Sequence, residues 1–83
     1  MKTLKKVLII EDEESLSTVL ADKIRAEGVN VLTARDGKIG LEIALKEHPD
    51  LIWLDFMLPT MNGIELTKEL RKDPWGKTAC VIL

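Results

Sequence analysis

The sequence predicts an α/β domain built on a parallel sheet. Three observations carry that expectation. Short apolar runs rich in β-branched residues recur, first at Lys6-Val7-Leu8-Ile9-Ile10 and later at Leu51-Ile52-Trp53-Leu54. Segments with apolar residues at helical spacing separate such runs. Both of these runs stop on carboxylates, Glu11-Asp12 and Asp55. Runs that are apolar throughout, rather than alternating, belong to strands covered on both faces. Strand–helix alternation then argues for right-handed crossovers between parallel strands.

The elements follow in order. Lys6–Ile10 forms the first strand, and Glu11-Asp12-Glu13-Glu14 stops it. A helix is expected over 15–27, with Leu16, Val19, Leu20 and Ile24 on one stripe. Acids at its start suit the helix dipole, and Gly28 is a natural stop. Asn30–Ala34 is a second strand, and Asp36-Gly37 turns the chain. A second helix over 38–47 turns Ile39 and Ile43, with Ala44 and Leu45, toward the sheet. Gly40 lowers its propensity, which a close helix-to-sheet approach would explain. Pro49 ends it. His48 reads as a helix-end residue rather than a phospho-donor, since no donor-type helix pair accompanies it. Leu51–Leu54 is the central strand, with Trp53 in the core. A loop over 56–62 follows, in which Met57, Leu58 and Met61 are apolar. A third helix over 64–72 uses Ile64 and Leu70 as contacts, and Asp73-Pro74 breaks it. Trp75 is expected to pack on that helix or on a partner. Residues 79–83 begin a fourth strand with Cys80 as a core thiol. The order is β-α-β-α-β-α-β, without internal repeat or linker.

Length and charge bound the function. Eighty-three residues make at most one small domain. A formal charge of −2 gives no electrostatic case for nucleic acid or an anionic membrane. The start at residues 1–6 imitates the positive region of a leader, but the apolar run behind it is only Val7 to Ile10. No stretch approaches membrane-spanning length. Cys80 is alone, so no internal disulfide forms. These features lead us to expect a soluble cytoplasmic protein.

The chemistry lies at the strand tips. A buried strand that ends on a carboxylate needs a reason, because an unpaired buried charge is costly. The exposed C-terminal tip of a strand supplies one, and ligands bind there in open α/β sheets. Taken alone, Asp55 reads equally as a turn residue. If the first and third strands are neighbours, however, Glu11 and Asp12 converge on it. Converging carboxylates repel unless a cation or protons intervene. A hard cation with oxygen ligands, Mg²⁺ above all, suits such a site. Asp55 could then attack phosphorus. Glu13 and Glu14 are better read as a solvated helix start.

Val7-Leu8-Ile9-Ile10-Glu11-Asp12-Glu13 and Leu51-Ile52-Trp53-Leu54-Asp55-Phe56-Met57-Leu58-Pro59-Thr60-Met61-Asn62-Gly63 resemble the two signature stretches of the response-regulator receiver domain of two-component signalling. Ala34-Arg35-Asp36-Gly37 is similar to that family's turn after the second strand. The resemblance runs in register along essentially the whole chain. It implies a flavodoxin-like, doubly wound sheet of order 2-1-3-4-5, with the first and third strands adjacent. It implies that Asp55 is the phospho-acceptor and that Glu11 and Asp12 serve the Mg²⁺ site, with Asp12 the more direct ligand. The main-chain carbonyl of Met57 would be a third protein ligand, and Pro59 and Gly63 would shape the loop. The implied partner is a histidine kinase or a small phosphodonor, and no separate enzymatic turnover is expected.

The resemblance also implies parts not found here. The family's Ser or Thr at the end of the fourth strand would fall about two residues beyond Leu83, and its Lys after the fifth strand lies further on. Thr78 and Lys77 precede the fourth strand and do not inherit those roles. The expected unit over 1–83 is therefore a receiver truncated after its fourth strand, lacking the fourth and fifth helices and the fifth strand. The chain would then be a fragment, an incompletely shown sequence, or one whose sheet a partner completes. If it ends at Leu83, a bare sheet face predicts a homodimer or strand-exchanged assembly. The alternative function is a half-receiver that self-associates and is phosphorylated poorly or not at all. A haloacid-dehalogenase-like phosphatase would need a second Asp two positions after the first, where Met57 stands. A flavin-binding relative would need a Ser/Thr/Gly-rich phosphate loop after the first strand.

Overall fold

In the computed structural model, which describes residues 4–83, strands and helices alternate as the sequence predicts. Residues 1–3, part of the leader-like start, lie outside the described residues. The elements are β1 (Lys6–Ile10), α1 (Glu14–Arg25), β2 (Asn30–Ala34), α2 (Gly37–Glu47), β3 (Leu51–Leu54), α3 (Gly63–Leu70) and β4 (Val81–Ile82). A 3-10 turn, Gly76–Thr78, precedes β4. The strands form one parallel sheet in the order β2-β1-β3-β4, so β1 and β3 are neighbours.

The sheet is covered unequally. One face carries the larger core, where Leu8, Ile10, Ala34, Ile52 and Leu54 meet Ala44 of α2 and Leu66 and Leu70 of α3. The other face packs Val7, Ile9 and Val31 against Ala21, Leu20 and Ile24 of α1. Alternation along the strands makes this division. Gly40 fulfils its expected role: a Cβ there would lie 2.5 Å from Ile10 Cδ1.

Several expected packing roles change. Trp53 is 39% exposed rather than core. It pairs with Ile9 on one side and Ile82 on the other, so it lies on the α1 side of the sheet. Ile82 and Cys80 are also exposed there, and the expected core thiol is a surface one. On α1 the buried stripe is Ser17, Leu20, Ala21 and Ile24, while Leu16 and Val19 face out. Ile39 and Ile64 are exposed as well, and Leu41 and Leu66 make the core contacts from those helices instead. Trp75 stacks on His48, with ring centroids 4.4 Å apart and planes within 9°.

Boundaries also move, and α1 ends at Arg25 rather than 27. α3 stops at Leu70 because Lys72 and Asp73 turn back onto the carbonyls of Glu69 and Leu70. Arg71 then donates to the carbonyls of Gly76 and Ala79, both at 2.7 Å. Because the 3-10 turn uses Ala79, the β4 ladder begins only at Cys80, whose carbonyl accepts from the Ile52 amide.

Candidate functional site

The site grows from the register of β1 on β3. Ile10 pairs with Leu54, so the next residue on each strand, Glu11 and Asp55, emerges at the same edge. Backbone bonds fix both: the Glu11 amide donates to the Ala34 carbonyl, and the Asp55 amide to the Ile10 carbonyl, each at 3.0 Å. Glu11 is buried, at 7% exposure, Asp55 is half-buried and Asp12 is exposed. The three acids read from the sequence therefore share one strand edge.

Their electrostatics are those of crowded carboxylates. Burial first, then the neighbouring Asp55 side chain as hydrogen-bond partner and as charge, push the Glu11 carboxyl above its ordinary value of 4.5. The Asp12 amide, donating to Glu11 Oε2 at 3.0 Å, pulls weakly the other way. Asp55 Oδ1 accepts from the Met57 amide at 3.3 Å, which curls the chain after the strand.

The donor chemistry fits a hard cation. Carboxylate oxygens at the tip, with a backbone carbonyl one turn on, are the ligand type Mg²⁺ takes. A buried acid that must share its space with a second carboxylate gains from a positive charge beside it. Among the described residues no group of three or more His, Cys, Asp or Glu side chains is placed to hold a metal ion by itself. Mg²⁺ keeps several waters and needs only one or two direct carboxylates.

The loop over 56–62 frames this edge. Gly63 closes it, its amide donating to the Phe56 carbonyl at 2.9 Å. A Cβ at Gly63 would lie 3.2 Å from the Asp55 carbonyl oxygen, so the loop can turn tightly into α3. Asn62 caps α3 by accepting from the Glu65 amide at 2.9 Å. Leu58 and Met61 pack on the core, while Met57 is 72% exposed. Thr78 and Lys77 lie in the 3-10 turn before β4, at the opposite end of the strands. Sequence reasoning missed Thr60. It has a φ of 67°, and its hydroxyl accepts from the Lys38 amide at 3.2 Å. No propensity signal marks it, since β-branched residues avoid positive φ.

Comparison with known proteins agrees with this geometry. The model of the response regulator receiver domain family matches residues 7–83. The chain belongs to that family: it is a receiver domain of the two-component response-regulator type, with the flavodoxin-like fold. It is 48% identical over 68 residues to the alkaline phosphatase synthesis transcriptional regulatory protein PhoP of Bacillus subtilis, covering 82% of this chain and 28% of that protein. It is 43% identical over 67 residues to the response regulator ArlR of Staphylococcus aureus, covering 81% and 31%. Among solved structures, the chemotaxis response regulator CheY4 of Vibrio cholerae matches with a TM-score of 0.90 at 32% identity, over 95% of this chain and 66% of that one. The receiver domain of the sensor histidine kinase PA1611 of Pseudomonas aeruginosa, described with a magnesium ion coordinated in its active-site cleft, matches with a TM-score of 0.89 at 26% identity, over 95% and 65%. The chain thus spans less than a third of these curated relatives and about two thirds of these solved chains. Among the described residues no helix is long and apolar enough to cross a membrane.

Proposed function

We propose that this chain is a phospho-accepting module that takes a phosphoryl group on Asp55 from a histidine kinase or a small phosphodonor. The observation that carries the reading is the pairing of Asp55 with the buried Glu11 at the shared tip of β1 and β3. A carboxylate oxygen of Asp55 attacks the donor phosphorus. The new O–P bond forms as the bond to the donor nitrogen or oxygen breaks, and the donor leaves with that electron pair. Asp12, Asp55 and the Met57 carbonyl would hold Mg²⁺, with Glu11 behind them. When bound, Mg²⁺ would neutralise charge on the transferring group. The buried Glu11 orients Asp12 through its amide. The chain acts on itself and turns over no separate substrate.

Intact mass before and after Mg²⁺ and acetyl phosphate tests this reading. One added phosphoryl group is expected on the native chain and none on Asp55→Asn. No addition to the native chain, or an equal addition to the variant, overturns it.

A further inference from the structure

The start of α2 is satisfied largely from outside the helix. The first backbone amides of a helix have no partner within it. Here the Gly37 amide donates to the Pro59 carbonyl at 3.2 Å, and the Lys38 amide to Thr60 Oγ1 at 3.2 Å. Only the third, that of Ile39, is taken by the helix's own cap, Asp36 Oδ1, at 2.8 Å. The same loop packs on Gly37 so closely that a Cβ there would lie 2.3 Å from the Met61 carbonyl oxygen and 2.7 Å from its Cβ. Thr60 meets this arrangement at φ 67°, a conformation a β-branched residue adopts only where its surroundings over-determine it.

We infer that Thr60 is a positioning residue: its hydroxyl fastens the loop over 56–62 to the start of α2 and so sets the Met57 carbonyl beside Asp55. The inference rests on the phospho-acceptor reading for its metal, but the fastening itself does not. Two residues, Leu58 and Pro59, separate Thr60 from Met57, and the Pro59 ring makes that link stiff. Displacement at Thr60 is therefore passed toward Met57 rather than absorbed. Thr60 is exposed, so removing its hydroxyl leaves the core intact.

The test compares Thr60→Val, which keeps the branched shape, with Thr60→Ser, which keeps the hydroxyl, both in the full chain. Amide exchange at Lys38 and Met57 is measured without metal, and Mg²⁺ affinity by calorimetry. In Thr60→Val, faster exchange at both amides is expected, with Mg²⁺ binding weakened about tenfold, the lower end for groups that orient metal ligands. Thr60→Ser should restore both. Native Met57 exchange in Thr60→Val overturns the inference, as does native Mg²⁺ affinity despite a loosened loop. If the native chain itself binds no Mg²⁺, the phospho-acceptor reading fails instead, and exchange at Met57 alone decides whether Thr60 positions the loop.

Discussion

Glu11 is where a single side chain sets the behaviour of the site. Its carboxyl is pushed above 4.5 mainly by burial and then by Asp55. A folded-state value above the unfolded one means that the protonated form favours folding. Its stabilising contribution is therefore complete below the ordinary glutamate range and is lost as pH rises through the raised value. Glu11→Gln keeps an acceptor for the Asp12 amide but removes the charge. We expect that variant to unfold at a higher temperature than the native chain at pH 7. The difference should vanish near pH 4, and thermal melts across that range check it. Mg²⁺ should raise the native melting temperature at pH 7 and raise that of Asp55→Asn less.

At the scale of elements, close approaches decide more than propensity does. Gly40→Ala would gain about 1 kcal/mol of helix propensity. The new methyl, however, meets three side-chain atoms of Ile10 within 3 Å, in the core under α2. Overpacking of that kind costs about 1–3 kcal/mol, so a net loss of stability is expected in urea unfolding. Arg71 offers the second test. It holds the turn between α3 and β4 through the carbonyls of Gly76 and Ala79, while Asp73 Oδ2 accepts from the amides of Trp75 and Gly76. Arg71→Met keeps the aliphatic stem and should cost about 1.5–3 kcal/mol, the range for hydrogen bonds to a charged group. Exchange should quicken at Ile52, whose amide depends on where Cys80 is placed. Asp73-Pro74 marked the break in the sequence, but nothing marked Arg71's part in it, because its bonds run from a side chain to carbonyls five and eight residues away.

For the whole molecule, the sheet is covered unevenly. Trp53, Cys80 and Ile82 are exposed on the α1 side, where α1 covers β1 and β2. Each 100 Å² of apolar surface removed from water is worth about 2.5 kcal/mol. We expect the chain as given to self-associate through this surface, and Ile82→Lys to shift sedimentation toward the monomer. A native chain that stays monomeric at high micromolar concentration would remove the expectation. The sequence by itself placed the strands along the chain, because unbroken apolar runs such as Val7 to Ile10 read as buried strands; their spatial order came from the family resemblance and the structure. The sequence also placed the acids at the ends of these runs, although Glu11 there is buried rather than open to solvent. Which apolar residues are buried was decided only by tertiary structure. Trp53 and Ile52 read alike in sequence, yet one meets α2 and α3 while the other lies beyond the reach of α1. Thr60 against Lys38, and His48 against Trp75, likewise join positions more than 20 residues apart. Such contacts depend on where whole elements come to rest, which no local pattern encodes.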